Sequence, residues 1–335
     1  ANARTVAPSI LLPTSTRMTR HSPSTIAANN GGNIGADAPL RGRAWWINAL
    51  LRVLSVLPLS ALHRIGGVLA WTSARLKREE WHVARVNADL CFPDWPAERR
   101  EWLAREALRE NAKGLVELAA LWQWPVPRVL GLIRSVEGEE VIDAALAEGK
   151  GMLVIAPHHG AWEILQMWLA RRVSLHALYR PPRWRELEAL LNRGRSRSGA
   201  TFWPAKPSGI RALFKALQAG EAVGVLPDQS PPGEGVFVPF FGHPAKTMTL
   251  FGKLAARTDA PVVIGWAERL PAGGGYAVHW HRVTEPVGDP DPEAAAAALN
   301  REIERVVLER PEQYQWTYRR FSKREAGRKN PYEAR

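Results

Sequence analysis

From residue 136 to residue 309 the chain switches repeatedly between short apolar runs and amphipathic stretches, and few folds satisfy that alternation. The runs at 151–156 (Gly-Met-Leu-Val-Ile-Ala), 173–178, 222–226, 262–267 and 276–281 have the length and composition of strands. Around them, 164–170, 184–192, 210–219, 250–257 and 292–309 carry apolar residues at the spacing of a helix face. Strands alternating with helices predict an α/β fold, a largely parallel central sheet flanked by helices. The Gly-, Pro- and Phe-rich stretch around 229–249 reads as irregular.

In such a sheet, ligands bind beyond the carboxyl ends of the strands. Polar residues at those ends are therefore the candidates for chemistry. The run 151–156 leads into Pro157-His-His-Gly-Ala-Trp-Glu163, which sets His158 in the turn and Glu163 in the first turn of the next helix. A carboxylate there is favoured by the helix dipole, and five residues across such a turn can bring it to an imidazole nitrogen. The pair reads as a general base with an acid that holds its tautomer. A hydrogen-bonded structural histidine and a capping glutamate are the plainer alternative. The run 222–226 ends in Pro227-Asp-Gln, offering Asp228 and Gln229 to the same sheet edge. A local Asx turn would also account for the aspartate.

Arginines form a further set. Arg180 follows the strand at 173–178, and Arg195 and Arg197 lie in Arg193-Gly-Arg-Ser-Arg-Ser-Gly199, between a helix and the next strand. Guanidinium groups beside Gly and Ser suit phosphate, as they suit a solvated basic turn. Phe237, Phe240 and Phe241 fit either the wall of an acyl pocket or a core. The segment 311–321 reads as an amphipathic end that buries Trp316 and exposes Arg319 and Arg320.

Charge narrows the partners. Among 335 residues, 45 Lys and Arg against 33 Asp and Glu leave a net +12, which favours phospholipid, an acidic protein or nucleic acid. A single cysteine, Cys91, excludes an internal disulfide and a Cys-based zinc cluster. Residues 1–40 lack aromatic or periodic apolar content and a signal-peptide apolar core, and are expected to be a disordered leader. Residues 41–135 are expected to be a helical, membrane-associating region. Within it, Trp45, Trp46 and Trp71 suit a membrane interface, while Arg52, Pro58, His63 and Arg64 interrupt the apolar run. No run approaches the roughly 20 residues of a spanning helix, so an in-plane or shallow anchor fits; a soluble helical hairpin is the alternative. Residues 94–121 read as amphipathic, with Trp102, Leu103, Leu108, Leu115 and Leu118 on the apolar face. The α/β domain is placed at 136–325, followed by a flexible tail at 326–335.

These pieces, taken in order, resemble a family. Pro157-His-His-Gly-Ala-Trp-Glu163, the Tyr-Arg-Pro and Arg-Ser-Arg segments, Pro227-Asp-Gln, residues 235–242 and residues 312–321 are arranged as in the bacterial lipid A biosynthesis acyltransferases, and residues 87–93 resemble that family's upstream segment. The resemblance implies transfer of a fatty acyl chain from acyl carrier protein to a hydroxyl of a lipid A precursor or related glycolipid, at the cytoplasmic face of the inner membrane, without a metal or cofactor. By position it implies His158 as general base and Glu163 as its partner, with Asp228, Arg195 and Arg197 completing the site. Arg180, Gln229, Phe237, Phe240 and Phe241 are the candidates for holding substrate. The family often carries an aromatic residue where this chain has His159, so the two histidines must be told apart. A thioester is already activated, and a hydroxyl deprotonated by His158 can attack it without an enzyme nucleophile.

Two rivals remain. A metal hydrolase could use His158, His159 and Glu163, with His279 and His281 near by, but the chain lacks a His-Glu-x-x-His array. A nucleic-acid-binding protein would use the +12 charge and 15 tryptophans, but no recognition motif accompanies them, and nucleic acid is not expected as a partner.

Overall fold

In a computed structural model, which describes residues 32–33, 35–76, 78–327 and 329–333, the expected alternation is present. Helices α1 (Gly42–Leu54), α2 (Leu59–Leu76), α3 (Arg78–Cys91), α4 (Ala97–Val116), α5 (Leu118–Gln123) and α6 (Val126–Leu130) come first. The chain continues through β1 (Ile133–Glu137), α7 (Glu139–Ala147), β2 (Met152–Ile155), α8 (Trp162–Leu169), β3 (Leu175–Tyr179), α9 (Glu188–Ser196), β4 (Thr201–Pro204), α10 (Pro207–Gln218) and β5 (Ala222–Val225). A hairpin, β6 (Val236–Phe240) with β7 (His243–Thr247), precedes α11 (Leu250–Thr258), β8 (Val262–Arg269), β9 (Tyr276–Arg282) and α12 (Pro292–Val307).

Among the described residues these strands form a 7-stranded sheet in the order β1-β9-β8-β2-β5-β3-β4. Its pairs are parallel except β8 with β9. That pair is joined through the short turn Pro271–Gly273, which is too short for a crossover and leaves a hairpin. The α/β, largely parallel expectation holds.

Period-two burial produces the layers. Leu153, Ile155, Val223, Ile264 and Trp266 belong to one core, with Leu213 of α10, Leu254 of α11 and Leu299 and Ile303 of α12. Met152, Val154, Val263 and Val278 belong to the other, with Ile142 of α7 and Ile164 and Leu165 of α8. Strand β2 is buried on both faces, which explains its continuous apolar run. Helix α12 starts where Asp291 accepts hydrogen bonds from the amides of Glu293 and Ala294, with Pro292 in the first position.

The amino-terminal region is helical, and α2 and α3 pack along α4. Among the described residues no helix is long and apolar enough to cross a membrane. Trp45, Trp46, Leu50 and Val53 of α1, Val56, and Val68, Leu69 and Trp71 of α2 are exposed, Val56 to 80%.

Several expectations are corrected. The leader up to residue 31 lies outside the described residues, but its last part is attached: Asn33 exchanges hydrogen bonds with the Phe202 backbone of β4, and Arg193 donates to the Ala36 and Ala38 carbonyls. In the tail, Tyr332 is buried, and its hydroxyl bonds Asn87 Oδ1 and the Phe321 amide. The stretch read as irregular contains the β6–β7 hairpin, with Pro239 opposite Pro244. A two-stranded ribbon has free outer edges, where proline breaks no ladder bond. Trp102 and Leu115 are exposed rather than part of the buried face. Arg320, expected at the surface, is buried, and it donates to the Lys246 carbonyl and Thr247 Oγ1.

Candidate active site

Strands β2 and β5 lie side by side with Ile155 opposite Val225. His158 and Asp228 are each three residues beyond those positions, so the parallel register carries them out of the sheet at the same height. The outcome is a two-point contact. Asp228 Oδ1 lies 2.8 Å from His158 Nδ1, and Asp228 Oδ2 accepts the His158 backbone N–H at 3.0 Å. Burial acts to raise the Asp228 carboxyl, but the His158 charge and these hydrogen bonds outweigh it and hold the group below its ordinary range. The His158 side chain keeps 17% exposure against 1% for Asp228, so the imidazole reaches the cleft and the carboxylate supports it from below.

The loop that carries His158 is held by its backbone. The amides of residues 158–161 bond Asp228 Oδ2, the Pro157 carbonyl, the Gln313 carbonyl and the Ala267 carbonyl in turn. Gly160 sits at φ +60°, and a Cβ there would lie 2.0 Å from the Ala267 carbonyl oxygen, so glycine is required on both counts. His159 points the other way. Its ring is fully buried, 4.3 Å from the Trp266 ring centroid and beside Tyr314, and neither ring nitrogen has a hydrogen bond. Burial lowers its pKa to about 3, which leaves it a neutral aromatic filler.

Glu163 is in the first turn of α8, as expected, but its partner is not the imidazole. Its Oε1 accepts from Arg195 Nε at 2.9 Å, and its buried Oε2 has no hydrogen bond. The guanidinium of Arg195 also lies 4.7 Å from the centroid of Trp162. The expectation that Glu163 holds the His158 ring is therefore corrected: Asp228 occupies Nδ1. The physical reason is that adjacent strands in register bring two side chains together more directly than a helical turn does.

His158, Glu163, Arg195 and Gln229 line one cleft of ≈ 320 Å³, walled on the far side by Glu110 and Leu115 of α4 and by Leu118 of α5. The other expected site residues lie elsewhere. Arg197 donates to the Leu121 and Trp124 carbonyls and fixes α5. Arg180 is exposed beyond β3. Phe240 is fully buried, and Phe241 packs on Phe92 and Trp316; neither lines the cleft, nor does Phe237. The acyl-pocket reading of this run gives way to the core reading for Phe240. Among the described residues no three His, Cys, Asp or Glu groups converge as a metal would need, and the trio of the metal-hydrolase reading is split by the inward turn of His159.

Two groups in the cleft wall escaped the sequence reading. Arg269, at the end of β8, donates to both oxygens of Glu117, which also meets the Tyr276 hydroxyl and His63 Nε2. Burial acts to raise the Glu117 carboxyl, yet Arg269 and His63 pull it down to about 2. The signal was a charge inside an apolar run, Leu115-Val116-Glu117-Leu118, but its partner is 152 residues away. Gln313, Tyr314 and Gln315 also reach the cleft, where Gln315 Oε1 accepts from Gln229 Nε2 at 2.9 Å.

Comparison with known proteins identifies the family. Residues 31–323 match the model of the bacterial lipid A biosynthesis acyltransferase family. The lipid A biosynthesis palmitoleoyltransferase of Escherichia coli K12 is 33% identical over 260 residues, covering 77% of this chain and 83% of that protein. The lipid A biosynthesis lauroyltransferase of the same organism is 28% identical over 300 residues, covering 87% and 96%. A lipid A biosynthesis acyltransferase of Haemophilus influenzae is 30% identical over 297 residues, covering 86% and 92%. With residues 31–323 of the 335 inside one family model, the chain belongs to the bacterial lipid A biosynthesis acyltransferase family.

Proposed function

We propose that this acyltransferase moves a fatty acyl chain from acyl carrier protein to a hydroxyl of a lipid A precursor, with His158 as the base and Asp228 as the acid that orients it. The observation that carries the reading is the His158–Asp228 pair, closed at 2.8 Å with the ring opening on the cleft. With Nδ1–H directed to Asp228, Nε2 is the acceptor for the hydroxyl proton. The hydroxyl oxygen attacks the thioester carbonyl as its proton passes to Nε2. The tetrahedral intermediate then expels the thiolate of the carrier, which takes that proton back from the imidazolium.

Charge on the intermediate needs a donor. The amides of 158–161 are already engaged, so the loop offers none. Arg195 is the cation at the cleft, and Glu163 serves by fixing its orientation rather than by holding the ring. Arg269 faces the cleft but is bound to Glu117. The acidic donor and phosphorylated acceptor fit a chain of net +12. Exposed tryptophans and valines on α1 and α2 support an in-plane membrane seat, which with an acyl carrier protein donor would be on the cytoplasmic face of the inner membrane.

The test is transfer from acyl carrier protein thioesters to a purified lipid A precursor in mixed micelles, followed by mass spectrometry. Wild type should produce the acylated lipid, His158→Ala should not, and Asp228→Asn should do so only slowly. Product formation by a folded His158→Ala variant at the wild-type rate would remove the base from His158.

A further inference from the structure

The segment 311–321 has the sequence of an amphipathic end, but its residues 313–315 meet the loop that carries His158. The Gln313 carbonyl accepts the Gly160 N–H at 3.0 Å, the Gln315 N–H donates to the His158 carbonyl at 3.1 Å, and His159 and Tyr314 form an antiparallel bridge between them. Backbone bonds of this kind fix where His158 stands. The Gln313 side chain in turn locks this strap to the end of β8. Its Oε1 accepts the Arg269 N–H at 2.8 Å and its Nε2 donates to the Arg269 carbonyl at 3.0 Å, with both bonds buried. On the other side of the same loop, the Ala267 carbonyl takes the Ala161 N–H at 2.7 Å. The His158 loop is thus suspended between β8 and the strap, and the Gln313 amide is the side-chain clasp that joins the two supports.

We infer that Gln313 is a positioning residue: its primary amide sets the strap against β8 and thereby holds His158 in register with Asp228. The inference rests on His158 being the base. Gln313 has no hydrogen bond to the imidazole, and although it borders the cleft its amide is engaged with the Arg269 backbone, so its effect on His158 passes through the strap. The clasp needs a donor and an acceptor on one planar group, which a carboxylate cannot supply and a protonated carboxyl can. At 8% exposure the side chain is buried, and each end of its amide has a hydrogen-bond partner on the Arg269 backbone.

The experiment compares wild type with Gln313→Leu, Gln313→Glu and, as the control that breaks the pair directly, Asp228→Asn. Two quantities are read on folded protein: kcat and KM for acyl transfer, and the downfield imidazole Nδ1–H signal of His158, assigned by its loss in Asp228→Asn. Gln313→Leu should lose roughly 100-fold in kcat, as expected when a reacting group is displaced by about 1 Å, with KM changed by less than about threefold. Its Nδ1–H signal should broaden or vanish. Gln313→Glu should recover signal and rate relative to wild type as pH falls, because the protonated carboxyl restores both bonds, and lose them as pH rises. A folded Gln313→Leu with the wild-type Nδ1–H signal overturns the proposal, whatever its rate. A wild type that shows the signal but transfers no acyl chain would refute the function while leaving the positioning result readable. Should Gln313→Leu fail to fold, Gln313→Glu carries the test, and a ratio to wild type that does not vary with pH refutes the clasp.

Discussion

At the scale of single residues, one histidine reaches the cleft and its neighbour is sealed in the core. His158→Ala should abolish transfer and also lower stability, by about 1–3 kcal/mol, since a largely buried ring is removed and buried Asp228 loses its side-chain partner; a circular dichroism melt beside the transfer assay checks both. Asp228→Asn should lower kcat by roughly 10²–10⁴-fold, the range a general base is worth, because the amide cannot hold the imidazolium. Glu163→Gln should cost less and show in kcat rather than KM, since it frees Arg195 but leaves the imidazole on Asp228. A larger kcat loss for Glu163→Gln than for Asp228→Asn would return the supporting role to Glu163. His159 gives a pH test. Its pKa falls from 6.5 in the open chain to about 3 when buried, so the unfolded state binds the extra proton first. Stability contributed by the neutral ring is complete above 6.5 and is lost as pH falls toward 3, at up to about 1.4 kcal/mol per pH unit. His159→Phe should remain active and flatten this acid limb in urea melts between those limits. The same slope in His159→Phe would show that another group causes it.

At the scale of elements, the turn between β2 and α8 is where backbone geometry and chemistry meet. Gly160→Ala should unfold more easily by at least about 1 kcal/mol and lose activity, because a positive φ and a 2.0 Å approach to Ala267 act together. Gly149 has φ +69° but open space around a Cβ, so Gly149→Ala should be milder and stay active. Thermal melts of the two variants separate strain from clash. The positions of strands and helices were legible because burial imposes periods of two and of about 3.6 on the sequence. The β6–β7 hairpin was not, because Pro239 and Pro244 weaken the usual strand signal where an isolated ribbon tolerates them. Attachment of Asn33 to β4 and of Tyr332 to Asn87 was equally hidden, since a single polar or aromatic anchor leaves no periodic trace.

Over the whole molecule, the amino-terminal helices are both core and surface. Leu51 of α1 and Leu59 and Leu62 of α2 are buried, so removing everything before Arg75 would open the core as well as take away the exposed tryptophans. Substitution is the cleaner test of membrane seating. Changing Trp45, Trp46 and Trp71 together to Ser should reduce binding to anionic liposomes and transfer to a membrane-embedded acceptor, while hydrolysis of a soluble thioester persists. Unchanged liposome binding would refute the in-plane seat. By itself the sequence determined the α/β alternation, the polar residues at the ends of β2 and β5, and the location of the charged and tryptophan-rich segments, because each is a local pattern enforced by burial or solvation. Only the tertiary structure decided which carboxylate holds His158. Asp228 is 70 residues away and Glu163 five, yet strand register overrides proximity along the chain. It likewise decided that Glu117 pairs with Arg269 across 152 residues and that Gln313 joins β8 to the strap beside the His158 loop, because such contacts follow from how layers pack and leave no mark on either segment alone.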